Sequence, residues 1–334
     1  MINQQKPTSR LRLMIGMLIS AAAVVLLLWF SDLKAILASL RQLNPWLVLG
    51  VTLLLGISLL TRAAAWRTIL RDKISVKKSF LILNAGYFIN TIFPFRAGEF
   101  ARAVLLLPSG LTFWEAFPSV VVERMFDIVF AVALFFIGLP HALDFPTGGG
   151  YAVLLLGLVM AGFVMLFLAV RYQQRVLDWL NGDQLPAEGV RLWLTRRLRS
   201  ILSGLSIISH PQRFGRAFLW MALSWIIALL LQYGLLRGFA PQAPLIWAVF
   251  AMGALSLGVS IPSSPGNIGV YEASLTLALT ALGMDRSRAL AYALTSHALS
   301  LLVTFLFGSY TTAREGLALR KIHELAQQAE QESV

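Results

Sequence analysis

Five uncharged, apolar runs of near-equal length recur along the chain, at 13–31, 42–61, 145–170, 217–236 and 289–313. A helix crossing a bilayer needs roughly 20 such residues. The composition agrees, since 57% of the 334 residues are hydrophobic and 13% are charged, too few polar groups to clothe a water-soluble surface. Residues 117–139 supply a sixth expected span. Its first turns hold Glu123, Arg124 and Asp127, and the half from Ile128 to Leu139 is continuously apolar.

The formal net charge is +12, but the basic residues lie in connections between apolar runs rather than on one solvated face. That distribution favours a membrane surface and argues against nucleic acid. The segment 62–78 carries six Lys or Arg, and 171–216 carries eight arginines against three acids. The rule that basic loops stay inside places both, and the two termini, in the cytoplasm. The connections at 140–150 and 237–244 are poor in basic residues and face outward. Within the basic segment, 188–209 places Leu194, Leu198, Ile201 and Leu205 on one helical face, which predicts an amphipathic helix along the inner leaflet. Each basic residue there is worth about 1 kcal/mol of headgroup attraction. The expected organisation is an integral membrane domain over 1–315, including a cytoplasmic stretch at 172–215, followed by a polar tail at 316–334.

Two apolar stretches do not fit as plain spans. Residues 79–107 must begin and end inside, and 244–283 must begin and end outside. Pro94 and Gly98 interrupt the first; Pro262, Pro265, Gly266 and Gly269 interrupt the second. Such breaks expose backbone donors and acceptors at membrane depth, tolerated only against protein or a wet cavity. Each is followed by a glutamate, Glu99 or Glu272. Interrupted segments entering from opposite sides are the pattern of an inverted repeat with a site at its interface; two ordinary kinked spans are the alternative. The expected fold is an all-α polytopic membrane protein with about six full spans and two interrupted, re-entrant segments.

The first break carries the densest charge. Arg96, Glu99 and Arg102 fall within an arc of roughly 120° on a restarted helix. An ion at the centre of a span costs about 2.5–3.5 kcal/mol, so such groups persist when paired or hydrated. Two arginines per carboxylate leave a donor fork for an anion, to which guanidinium groups bind bidentately. The competing reading is a set of arginines snorkelling at the interface. Glu123 and Asp127, four apart on one face, are expected to pair with Arg96 or Arg102 in a buried network of four or five charges. Glu272 is the lone charge between Arg237 and Asp285. It is a proton-coupling group, a partner for Arg96, or a helix-end residue. His297, Ser300 and Thr304 form a polar stripe that reads as interhelical hydrogen bonding.

No cysteine is present, which excludes disulfides and thiolate chemistry. No phosphate loop, His-Glu-x-x-His or Gly-x-Ser-x-Gly motif occurs either. The expectation is a protein that is not an enzyme and holds neither cofactor nor metal.

The stretches "NAGYFINTIFPFRAGEFAR", "VVERMFDIV" and "PSSPGNIGVYE" together resemble the flippase-like membrane family that includes the transmembrane domain of lysylphosphatidylglycerol synthases. The likeness covers roughly residues 10–315. It matches Asn84, Asn90, Pro94, Arg96, Gly98, Glu99 and Arg102 in the first motif, Glu123, Arg124 and Asp127 in the second, and Pro265, Gly266, Gly269 and Glu272 in the third. Where the family often has Pro-Gly-Gly-Leu-Gly, this chain has Pro-Gly-Asn-Ile-Gly. The resemblance implies spans and re-entrant segments around a cavity, and movement of a lipid headgroup between leaflets of a bacterial inner (cytoplasmic) membrane. The implied partners are membrane lipids and a lipid-modifying enzyme. The rival expectation is a lipid-binding accessory subunit of a membrane lipid or glycolipid synthase or transferase.

Overall fold

The computed structural model describes residues 44–93, 96–143, 210–260 and 264–314, with isolated positions 34, 38, 41, 157 and 172. The expected span at 13–31, nearly all of that at 145–170, the amphipathic segment 188–209, the tail 316–334, Pro94 and Pro262 lie outside the described residues. Among the described residues the elements are helices, with no strand.

Helix α1 runs Pro45–Ile69; the Asn44 side chain accepts from the Trp46 amide at 2.9 Å and Pro45 opens the first turn, where its missing N–H costs nothing. Helix α2 is Val76–Ile92, capped by Ser75. Helix α3 is Ala97–Val104, and α4 is Phe113–Leu143. After the undescribed segment come α5 (Pro211–Phe239), α6 (Leu245–Gly258), α7 (Val270–Ala281) and α8 (Arg286–Arg314). Each helix found at an expected span outruns its uncharged stretch. The 42–61 run continues through Arg62 to Ile69, so Arg62 belongs to a helix and not to the basic loop that the charge count assigns it to. The sixth span starts at Phe113 rather than 117.

Among the described residues three helices, Pro45–Ile69, Pro211–Phe239 and Arg286–Thr311, are long and apolar enough to cross a membrane. Their outer faces leave Leu53, Leu60, Leu219, Ile226, Leu302 and Leu306 between 47% and 68% exposed. Large apolar side chains repeated on outer faces match a hydrocarbon solvent rather than water.

The expected interruptions are present, and each folds back on itself. Helix α2 ends at Ile92, α3 restarts at Ala97, and the two pack together; α6 and α7 do the same around a 3-10 turn at Pro265–Asn267. Gly266 (φ 65°) and Gly269 (φ 87°) supply left-handed backbone at the second break. Arg96, the N-cap of α3, adopts φ 56° without being glycine, a conformation that costs about 1 kcal/mol or more. The breaks meet, because the 265–267 turn packs on α2.

Close approach of backbones builds the remaining contacts. A Cβ on Gly98 would stand 1.8 Å from the Gly86 carbonyl oxygen, and one on Gly253 would stand 2.3 Å from the Phe135 nitrogen. Small residues at such crossings, with hydrogen bonds between helices, are what holds helices together in lipid. Ser58 on α1 and Ser224 on α5 bond reciprocally through hydroxyls and carbonyls. Tyr292 on α8 bonds Gln232 on α5 at 2.6 Å.

Gly98→Ala and Gly253→Ala should each lower stability by about 1–3 kcal/mol or more through forced backbone shifts. Gly50→Ala, with open space around it, should stabilise by about 0.5–1 kcal/mol through helix propensity. Thermal unfolding midpoints of the three variants in one detergent check the order.

Candidate functional site: a charged seam between two broken helices

Seven charged side chains from three elements form one continuous chain of contacts. Its buried end is Arg102, 1% exposed, whose Nη2 donates to Glu123 Oε2. The Arg102 guanidinium also lies 4.0 Å over the Trp66 ring, which adds cation–π attraction. Glu123, fully buried, accepts at its other oxygen from Arg62 Nε at 2.9 Å. Arg62 then donates through Nη2 to Asp127, which is also held by Arg124 Nη1 at 3.1 Å and by the Trp225 indole N–H at 3.2 Å. Arg124 Nε lies 2.8 Å from Glu99 Oε1, and Arg96 Nη1 donates to the same oxygen at 3.1 Å. At the far end, Arg96 Nη2 donates to the Val259 carbonyl. Val259 is the C-cap of α6, where unpaired carbonyls and the negative end of the helix dipole favour a cation.

The local sequence explains why these groups converge. Glu123 and Asp127, one helical turn apart on α4, face α1, and the fork of Arg62 spans both. On α3 the three-residue spacing winds slowly, so Arg102 points into the packed interior while Glu99 and the N-cap Arg96 face outward. Gly86 makes room, since a Cβ there would meet Arg102 Cγ at 2.5 Å.

The expected pairing of Glu123 and Asp127 with Arg96 or Arg102 is therefore half right. Arg102 takes Glu123, while the partners of Asp127 are Arg62 and Arg124. The network has seven members rather than four or five, because Arg62 continues the helix that the uncharged run begins. The residues "RAAAW" after Thr61 are mostly strong helix formers, and that signal could have placed Arg62 in the span. Tyr87, Trp225 and the Val259 carbonyl carry no comparable sequence signal.

Arg96 and Arg124 stand between two cavities. One, of about 290 Å³, is lined by Asn90, Thr91, Tyr271, His297, Ser300 and Thr304 among others; the second, of about 490 Å³, by Ser58, Arg62, Glu99, Asp127, Ser224 and Trp225. Leu59, Tyr87, Arg96, Arg124, Ser256 and Val259 border both. The lining of the two cavities thus joins three arginines, Arg62, Arg96 and Arg124, to two carboxylates, Glu99 and Asp127, an excess of one positive charge beside space for a ligand.

Other expected site residues fall elsewhere. Asn84 is fully buried and its amide donates to the Phe80 carbonyl at 2.8 Å, away from both cavities. Arg102 and Glu123 lie beneath the cavity wall. Asn90 lines the smaller cavity and also accepts from the Gly98 amide at 2.7 Å, stitching the first break together. Of the second break, Gly266 lines that cavity, with Pro265 beside it in the 3-10 turn. Gly269 donates its amide to Glu272 Oε2 at 2.7 Å. Glu272 does not pair with Arg96: its partner is His297, whose Nδ1 lies 2.6 Å away. Arg96 is instead satisfied by Glu99 and Val259, and α8 brings the histidine closer than any arginine.

An all-helical membrane protein, with two broken helices meeting at a charged cavity, is the class that this fold and site define. The chain belongs to the family described as the lysylphosphatidylglycerol synthase TM region, which it matches over residues 13–308. It is also similar to a glycosyltransferase, AglD, of Haloferax volcanii, at 26% identity over 367 residues. The similarity takes in 96% of this chain and 58% of AglD, so the chain spans little more than half of that relative. No solved structure matches.

Glu123→Gln should cost about 3–5 kcal/mol, because it leaves Arg62 and Arg102 buried with their shared carboxylate gone. Asp72→Asn, which touches only half-exposed pairs with Arg67 and Arg216, should cost less than about 1 kcal/mol. Equilibrium unfolding in micelles separates the two.

Proposed function

We propose that the chain is a lipid translocator that moves a polar or anionic lipid between leaflets of the cytoplasmic membrane, and that it is not an enzyme. The observation that carries this reading is the surplus of guanidinium groups on a cavity wall where both broken helices end. Arg96 and Arg124 hold the headgroup, while Glu99 and Asp127 set their forks. The chains of the lipid stay against the apolar outer faces of the bundle. Membership of a family named for a lipid-synthase membrane region supports the reading. On it, the chain crosses the membrane about six times with both termini inside, and the two folded-back segments are re-entrant halves of an inverted repeat.

A second reading is a lipid-binding subunit that presents its lipid to a synthase or transferase without moving it. The similarity to part of a glycosyltransferase favours it. Nucleic acid is a partner on neither reading.

Vesicles containing the purified chain and an acyl-labelled phosphatidylglycerol distinguish the two readings, with leaflet exchange followed by quenching of the outer label. Translocation predicts exchange that falls by about tenfold or more in Arg96→Gln or Arg124→Gln, the loss of one charge-assisted hydrogen bond. A lipid that co-purifies in an Arg96-dependent manner but never changes leaflet supports the second reading and overturns the first.

A further inference from the structure

A second titratable unit, absent from the charged seam, sits where the second break meets α8. His297 stacks on Tyr271, with ring centroids 4.1 Å apart and planes at 6°. Its Nε2 lies 2.9 Å from the Gly266 carbonyl oxygen and its Nδ1 2.6 Å from Glu272 Oε1. A carbonyl only accepts, so Nε2 carries its hydrogen. The other Glu272 oxygen accepts from the Gly269 amide at 2.7 Å. The Nδ1–Oε1 contact therefore needs a proton of its own. An imidazolium facing a carboxylate and a neutral ring facing a carboxylic acid supply it equally, and both pairs carry the same number of protons and no net charge. Without that proton the ring's single hydrogen serves one contact, and a nitrogen lone pair faces either the Glu272 carboxylate oxygen or the Gly266 carbonyl oxygen, which is repulsive.

We propose that His297 and Glu272 form a proton-binding site, and that the bound proton holds the second break closed against α8. Loss of the proton leaves one ring hydrogen for two acceptors, so either the Nδ1–Oε1 or the Nε2–Gly266 contact is broken. Because the same two side chains hold the Gly266 carbonyl and the Gly269 amide, the 265–267 turn moves with them. That turn is a wall of the smaller cavity, so the cavity opens as pH rises. The other titratable groups on this cavity are Tyr87 from α2, Tyr271 from α7, Arg96 at the start of α3 and Arg124 from α4. Neutral groups complete the surroundings: α1 contributes Leu55 and Leu59, α6 contributes Ser256, and Gln232 of α5 accepts from Ser296. The site resting on geometry alone needs no cargo. Its use rests on the translocation reading, in which this proton is the ion exchanged as the cavity opens.

The chain has no cysteine, so Ser300→Cys places a single thiol on the smaller cavity. In the full chain in vesicles, its modification rate by a water-soluble thiol reagent is divided by that of Gln242→Cys, an exposed position, to remove the thiol's own pH dependence. The ratio should rise by about fivefold or more from acidic to alkaline pH. In Glu272→Gln the amide donates to Nδ1 and accepts from Gly269 at every pH, so the ratio should stay low and flat. A flat ratio in the Ser300→Cys chain, or an unchanged rise in the Glu272→Gln background, overturns the proposal. Should Glu272→Gln not fold, nitrogen NMR of labelled histidine in the otherwise native chain decides. The ring signal that is lost in His297→Asn must titrate together with the accessibility, and a fixed protonation state overturns the site. Vesicles that move no lipid but retain the pH-dependent ratio refute translocation and leave the proton site standing.

Discussion

A carboxylate with no exposed surface, Glu123, is held between two arginines from different helices, and much of the bundle is arranged around meeting that demand. An unpaired ion there would be expensive in an apolar interior, so Arg62 and Arg102 must both arrive. Bringing Arg102 in requires α3 to lie against α2 closely enough that Gly86 and Gly98 have no room for side chains. Bringing Arg62 in requires α1 to continue past the end of its uncharged run at Thr61. The same ion thus ties together the continuation of a helix past its apolar run, a helix crossing and the placement of the segment after the first break.

From that buried anchor, charge is handed outward in alternation until it reaches Arg96 and Arg124 on the cavity walls. Exposure grows along the way, from 1% for Arg102 to 26% for Arg96 and Arg124. The inner members fix geometry and the outer members keep donors near open space. A network built this way preorganises a surface for a charged guest, since its arginines are oriented before anything binds. The contact from Arg96 to the Val259 carbonyl extends the order to the second break, so the two interruptions are mechanically connected.

Much of this was legible in the residues. The apolar runs announced helices, proline and glycine marked both interruptions, and the arginine–glutamate spacing after Pro94 identified the charged segment. Helix ends are not legible in this way, because a hydropathy pattern stops at a charge whereas a helix continues if the charge finds a partner. Arg62 is the clearest case. Glu272 shows the opposite error: isolated in sequence, it has a histidine 25 positions away directly against it.

Helicity, an apolarity that suits a membrane and breaks at two places follow from the residues alone, through local periodicity and through residues that cannot sustain a helix. Which arginine serves which carboxylate, the burial of Asn84 and the cavity wall shared by the two breaks emerge from the packing of the folded chain. Pairing depends on which helix faces which across a few ångströms, and that is set by packing of small residues from distant parts of the chain.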